Sequence, residues 1–574
     1  MAPSKQAATT PPATESQEAG DTAVATGGSA AAFEPCVWND FFVTYIPPVC
    51  QRSEEWMRDR ADYLKEGVRR MFEGGEAMSA ANALTLVDTL ERLGIDEHFR
   101  EEIDMILTRL HNEELDCDSS STDDNIHTVS LRFRLLRQHG LWVPPDVFDK
   151  FKDDTGGFSA SLVSEDPRSL LNLYNAAHLA APGEEALDEA IAISRARLES
   201  MKGELSSPLA EQVSRALEIP LPRFPKRLET MRYVAEYEQE EGYKGMLLEL
   251  ARLDFNLLRS LHLKELKELS LWWKHTYNGM KLSYARDRLV ENYFWTCGVF
   301  HEAKYSRARM VFAKTVGLLS TMDDTYDIDA TLEECCQLNE AVQRWDESAV
   351  AILPDYLQMF YIKLLTSFTE FEECLGANEK YRMSYAIRVI KSLSKYFLEE
   401  AKWSREKHAP SFEEHLQVSA MSSVFPTMAV VLLLGAGDDV ATKEAFEWAV
   451  GVPDVVRAGA EITRYLNDIA SYKLGKNKED VASSVECYAR EHGVAGEDAV
   501  AAVAGMAERA WRQINGACMR MGLGTERAVL PAAELVVSLA RTMEIMYLGG
   551  RDAYTFGGDL KGLVTALFLE PVPI

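Results

Sequence analysis

Basic residues are scarce in this chain. It holds 61 lysines and arginines against 90 aspartates and glutamates, a formal net charge of −29 over 574 residues. That balance argues against nucleic acid or an anionic membrane as partner, since either needs a positive face. It also poses a problem. An acidic protein that binds an anionic small molecule must do so through metal ions or a local basic patch. Cysteine is sparse too: nine residues, with no CxxC pair and with Cys335 beside Cys336. Without regular spacing they read as reduced thiols of an intracellular protein. Long apolar runs are missing. AVVLLLG (429–435) comes nearest, well short of the roughly 20 residues a membrane helix needs.

The first 32 residues lack aromatics and leucine, so nothing in them can pack, and a disordered tail over 1–32 is expected. They carry one lysine, Lys5, against Glu15, Glu18 and Asp21, and no arginine. Neither a basic transit peptide nor the apolar core of a secretory signal is present, which makes the cytoplasm the default location.

Alternating strand patterns are also absent. From FEPCVWNDFF (33–42) onward, apolar residues recur at helical spacing, as in TLVDTLERLGI (85–95), SLLNLYNAAHLAA (169–181) and MLLELARLDFNLLRSLHLKELKELSLWW (246–273). The fold class is therefore all-α. Breakers cluster at 140–146, 152–158 and 218–225, and the three prolines of EIPLPRFP (218–225) mark a domain linker. Two helical domains follow, 33–225 and 226–574.

Against this apolar helical background, LSTMDDTYDIDA (319–330) stands out. On an α-helix Asp323 and Asp327 share one face about 6 Å apart, close enough to hold a cation together. Asp324 is rotated by about 100° and serves another purpose. Oxygen donors without histidine or cysteine suit Mg²⁺, with Mn²⁺ possible, and Mg²⁺ leaves coordination positions for phosphate oxygens. A second acidic helix, EITRYLNDIASYKLGKNKED (461–480), puts Asn467 and Ser471 on one face, with Arg464 a turn earlier and Asp468 adjacent. Either cluster alone also fits a solvated helix end.

Taken in order, these motifs resemble the plant class I terpene synthases of the sesquiterpene cyclase type, over residues 33–574. DDTYD is similar to the family's DDxxD motif, and NDIASYKLG to its second metal motif at Asn467 and Ser471. Arg286 and Arg288 of RDR resemble the RxR pair, 37 residues before Asp323. FEPCVW and LRFRLLRQHG (131–140) resemble N-terminal signatures. The resemblance implies an α-bundle catalytic domain and an N-terminal α-barrel-like domain. It also implies three Mg²⁺ ions on Asp323, Asp327, Asn467 and Ser471. Substrate-binding positions are Arg286, Arg288, Asp323, Asp327, Arg464, Asn467 and Lys478. The implied activity is ionisation of farnesyl diphosphate to an allylic cation that cyclises to a sesquiterpene with loss of diphosphate. Geranyl diphosphate as substrate, or an impaired prenyl-diphosphate binder, are the alternatives. Arg286, Arg288 and Arg464 would match phosphate oxygens, resolving the charge problem; a surface salt bridge to Asp287 or Glu291 is the plainer reading of RDR. Trp295 resembles the pocket tryptophan, and Tyr547, Asp552 and Tyr554 the tyrosine–aspartate–tyrosine group at a closing loop. SAMSSVF (419–425) before Pro426 resembles the family's kinked helix.

Two departures are visible. The second metal motif should end in glutamate, but position 475 is Gly475, with Glu479 one turn on; a weaker third metal site is expected. No arginine precedes Trp38, which favours a cytoplasmic enzyme on farnesyl diphosphate, and no DxDD motif occurs, which leaves the N-terminal domain structural. A monomer is expected.

Overall fold

The computed structural model describes residues 34–48, 52–73, 78–116, 125–153, 157–158, 166–474 and 482–574. The tail over 1–32 lies outside the described residues. Among them there are helices and no strands; Lys152 and Phe158 form one isolated antiparallel bridge. The all-α expectation is met.

In the first half the principal helices are α1 (Glu54–Glu73), α2 (Ala80–Arg92), α3 (Ile126–Gln138), α4 (Pro167–Ala177) and α5 (Lys226–Tyr237). Each starts where its sequence permits. Asn125 accepts the Thr128 amide at 2.9 Å, and Asp166 accepts the amides of Arg168 and Ser169 at 2.9 and 3.2 Å, with Pro167 at the first helical position.

One long helix, α6 (Gly245–Met280), joins two hydrophobic cores. Its opening turns, through Leu247, Leu250 and Leu253, pack into a core built from α1 to α5. Its later turns, through Phe255, Leu266 and Trp273, belong to a second, larger core built mainly from the helices that follow. Around that second core run α7 (Leu289–Val299), α8 (Ser306–Asp324), α9 (Arg382–Glu406), α10 (Phe412–Ser422), α11 (Phe425–Val431), α12 (Asp454–Lys473), α13 (Gly496–Leu523) and α14 (Leu530–Met546).

The proline segment 218–225 does end a helix, yet it is no free tether. Ile219, Pro222, Arg223 and Phe224 are buried. Arg223 makes a two-pronged bond to Glu508, 2.7 Å on each arm, and Arg541 Nε donates to the Pro222 carbonyl at 2.8 Å. Proline supplies rigidity here, and the arginine bonds fix the segment against α13 and α14.

Candidate active site

The acidic cluster closes α8. That helix is buried on nearly all sides, through Val311, Phe312, Val316, Leu319 and Met322, so its end is where carboxylates can reach water. The α-helix stops at Asp324 and continues as a π-helical turn, Thr325–Asp329, in which the Ala330 amide reaches back to the Thr325 carbonyl at 3.2 Å. Thr325 is pinned from two directions: its hydroxyl donates to the Thr321 carbonyl at 2.8 Å and meets the Tyr284 hydroxyl at 3.0 Å. The Asp323-to-Asp327 spacing is therefore governed by π geometry past Asp324, and not by the plain α-helix the sequence suggests. Asp327 is exposed and Asp323 half-buried.

Asp324 is buried, as its rotated position implies. It accepts the Arg286 main-chain amide at 2.7 Å, and its other oxygen lies 2.7 Å from the Arg286 guanidinium. The same guanidinium nitrogen donates to Asp323 at 2.9 Å. Burial, reinforced by the neighbouring Asp323, pushes the Asp324 carboxyl up to about 6 even though Arg286 opposes the shift. Arg286 also donates to the Thr555 hydroxyl at 3.3 Å and lies 5.2 Å from the Tyr554 ring centre.

The opposing rim is α12. It packs against the break between α10 and α11, where Val424 takes a left-handed conformation at φ 65°, strained for a β-branched residue. What holds it there is the next residue. A Cβ on Gly459 would meet the Phe425 ring at 2.3 Å, so the buried Phe425 lies directly on a glycine of α12. The break frees the end of α10 to receive an arginine. Arg464 donates from Nε to the Ser419 carbonyl at 3.0 Å, from Nη2 to the Ser422 hydroxyl at 3.2 Å and from Nη1 to Asn467 Oδ1 at 3.3 Å. Asn467 in turn donates to the Tyr547 hydroxyl at 3.2 Å. Ser471, one turn further, is half-buried on the same helix. Asp468 faces away into protein: it accepts the Ser484 amide at 2.7 Å and faces His415 Nε2 at 3.3 Å. Burial works against its charge, but His415 and Arg464 outweigh it and hold the carboxyl down at about 2. Gly475, Lys478 and Glu479 lie outside the described residues.

Between the rims the wall is aromatic. Trp295 meets Tyr554 edge-on and Phe312 likewise, each at 6.2 Å between ring centres. The Trp295 indole nitrogen is buried without a hydrogen-bond partner, and the Ser320 and Tyr554 hydroxyls are buried facing each other. Asp552 accepts the amides of Tyr554 and Thr555 at 3.1 and 2.9 Å, so it shapes the loop over the wall. Tyr547 sits at the end of α14.

Arg464 lies within electrostatic reach of Asp323 and Tyr547, and Tyr547 within reach of Arg286, so Arg286, Asp323, Arg464, Asn467, Trp295, Tyr547 and Tyr554 gather in one region. Arg288 does not share the setting of Arg286: its donors go to main-chain carbonyls, described below. Sequence reasoning missed Glu400 on α9, a half-buried carboxyl within electrostatic reach of Arg464, Ser422 and Asp323 and raised mainly by burial. It also missed His415. Both are single residues in helices with no local motif to flag them.

Among the described residues, no cluster of three or more His, Cys, Asp or Glu side chains forms a self-sufficient metal cage. The donors are hard oxygens in ones and twos, which suits Mg²⁺-like ions that complete their shell with water and phosphate. A guanidinium spans Asp323 and Asp324, so positive charge is what this rim is built to receive. The donor set fits.

Comparison with known proteins agrees in kind. Residues 37–217 match the model of the terpene synthase N-terminal domain, and residues 274–513 that of the terpene synthase family metal-binding domain. The chain belongs to the terpene synthase family, lyases that bind prenyl diphosphates and depend on divalent metal. Among its relatives, a eudesmanediol synthase of Zea mays is 56% identical over 95% of this chain and 96% of its own length. A tau-cadinol synthase of Zea mays is 44% identical over 95% and 98%. Of solved structures, limonene synthase with 2-fluorolinalyl diphosphate superposes with a TM-score of 0.85 at 28% identity, covering 94% of this chain and 99% of that one. Isoprene synthase from grey poplar, in complex with three Mg²⁺ ions and dimethylallyl-S-thiolodiphosphate, gives 0.81 at 31% identity, covering 90% and 97%.

Proposed function

We propose that this protein ionises farnesyl diphosphate in a metal-dependent step and turns the allylic cation into a sesquiterpene, releasing diphosphate. The observation that carries the reading is the pairing of a half-buried oxygen donor with an arginine on each rim: Asp323 with Arg286 at 2.9 Å, and Asn467 with Arg464 at 3.3 Å. The names of the relatives, which are sesquiterpene synthases, support the choice of a fifteen-carbon substrate.

In this reading Asp323 and Asp327 hold metal on one rim, and Asn467 with Ser471 on the other. Three Mg²⁺ ions are expected, with Mn²⁺ able to substitute. When bound, the cations neutralise diphosphate charge and make it a better leaving group. Arg286 and Arg464 donate to diphosphate oxygens as negative charge develops on them, with fixed forks that need little reorganisation. Arg286 must then exchange Asp323 for phosphate, leaving that carboxylate to metal. Trp295 and Tyr554 turn aromatic faces to the cation and exclude bulk water. The first-half helices are structural, the chain acts as a monomer, and it works in the cytoplasm. No described helix is long and apolar enough to cross a membrane.

The test is incubation of purified protein with Mg²⁺ and either farnesyl or geranyl diphosphate, followed by gas chromatography. Sesquiterpene from farnesyl diphosphate, lost on chelation, is expected. Turnover of geranyl diphosphate alone, or bound but unconsumed diphosphate, overturns the reading.

A further inference from the structure

Three segments far apart in the sequence converge at the start of α7: the stretch 34–38, the RDR segment and the loop 552–557. Arg288 joins them. It is 1% exposed, and its guanidinium donates from Nε to the Tyr554 carbonyl at 3.0 Å and from Nη2 to the carbonyls of Thr555 and Glu34, both at 2.8 Å. Nη1 donates to the Asp287 carbonyl at 3.0 Å. Every acceptor is main chain. Asp287 itself is engaged elsewhere, accepting the Trp273 indole N–H at 2.8 Å.

One turn into α7, Glu291 is fully buried and neither carboxyl oxygen makes a well-formed hydrogen bond, the Trp38 indole and the Glu291 amide being the nearby donors. The loop passes straight over it. A Cβ on Gly557 would lie 2.5 Å from Glu291 Oε1 and 3.6 Å from Arg288 Nε, so only glycine lets the loop descend this far. Trp38, at the end of the N-terminal stretch, is buried beside the same carboxyl.

We propose that Arg288 is a positioning residue, a latch that ties the N-terminal stretch 34–38 to the loop bearing Asp552 and Tyr554 and so holds that loop down, instead of a ligand for diphosphate. What the loop closes over is the site assigned above, and to that extent the proposal rests on that reading. The latch itself does not, since it exists before any ligand arrives. The two arginines of RDR thereby divide the work: Arg286 faces the carboxylates, and Arg288 faces peptide carbonyls. A planar five-donor fork can serve carbonyls on separate segments at once, whereas the single ammonium of lysine cannot span them.

The test is hydrogen exchange by mass spectrometry on the full-length, ligand-free protein. The variants are Arg288→Lys and Arg288→Met, read out on peptides covering 34–45 and 548–560. Calorimetry with inorganic diphosphate and Mg²⁺ is run in parallel. Both peptides should exchange on the order of 10-fold faster, together, as a local opening made easier by lost hydrogen bonds. Diphosphate affinity should change by less than about 3-fold, because no fixed donor to phosphate is lost. Unchanged exchange in either peptide, or a fall in diphosphate affinity with exchange unaltered, overturns the latch and returns Arg288 to the diphosphate. Should the Arg288 variants not fold, Gly557→Ala carries the test: it lifts the loop with Arg288 intact, and both peptides must again loosen together. These readouts need no turnover, so an enzyme inactive on farnesyl diphosphate would leave the latch standing or falling on its own.

Discussion

The two rims carry the same local pattern, an acid or amide followed by aspartate, and use it with opposite electrostatics. Asp324 and Asp468 are the second members, and both are buried. Yet Asp324 is pushed up to about 6, whereas Asp468 is held at about 2. Both are desolvated and both have an arginine near. They differ in the first member and in the number of donors. Asp323 is itself charged and draws on the same Arg286 that serves Asp324. Asn467 is neutral, and Asp468 adds His415 and the Ser484 amide to Arg464. In each pair, then, the first residue faces the site and the second anchors the helix end. The acidic rim carries surplus negative charge that a cation would relieve; the amide rim is already balanced.

Mutation can break this comparison at its strongest point. Asp323→Ala should lower turnover by about 10³-fold, the scale of losing charge stabilisation on a leaving group, while the urea midpoint stays within error. A midpoint falling as far as it does for a core variant would place Asp323 with the anchors instead. Asp468→Ala should act the other way. Removing one member of a buried charged network costs about 3 kcal/mol, read as a lower midpoint in urea, and an unaltered midpoint would contradict the anchoring role.

Glu291 extends the contrast, since it is a buried acid whose donors, its own amide and the Trp38 indole, are too poorly placed to offset burial. Burial, despite Arg288, pushes it up to about 7. A carboxyl raised from its ordinary value in the folded state gives stability that is complete below about pH 4.5 and is lost as pH rises through 7. Glu291→Gln should therefore flatten the fall in stability between pH 4.5 and 7, by at most roughly 1.4 kcal/mol per pH unit. Parallel stability curves for the two proteins would show that the carboxyl does not titrate there. The smallest effect concerns the amide rim. Asn467→Asp keeps an oxygen donor in place, so kcat should stay within about 5-fold while half-saturation moves to lower Mg²⁺, as an added charge strengthens cation binding. Higher Mg²⁺ demand would mean that neutrality at Asn467 is required.

Much of this was legible before the structure. The helical periodicity marks α2, α4 and α6, and the spacing from RDR to DDTYD to NDIAS names the two rims. The sequence also separates Asp323 from Asp324 by helical angle alone. Three features were out of reach for physical reasons. The π turn at Thr325 depends on Tyr284, some forty residues upstream, and no local periodicity encodes it. Arg288 binds main-chain carbonyls, which carry no sequence identity, on segments more than 250 positions away. Segment 218–225 shows its prolines, but not the Arg223 bond to Glu508 that turns a linker into packed structure. The expected weakness at Gly475 falls outside the described residues and is left to a Gly475→Glu comparison of Mg²⁺ dependence.

The most direct test of the central claim is a crystal structure of the full chain grown with Mg²⁺ and the non-reactive thiolo analogue of farnesyl diphosphate. The account predicts metal on Asp323 and Asp327 and on Asn467 and Ser471, around one diphosphate touched by Arg286 and Arg464, with Asp324 and Asp468 uncoordinated. Metal on Asp324 or Asp468, or Asp323 and Asn467 opening into separate cavities, would contradict it.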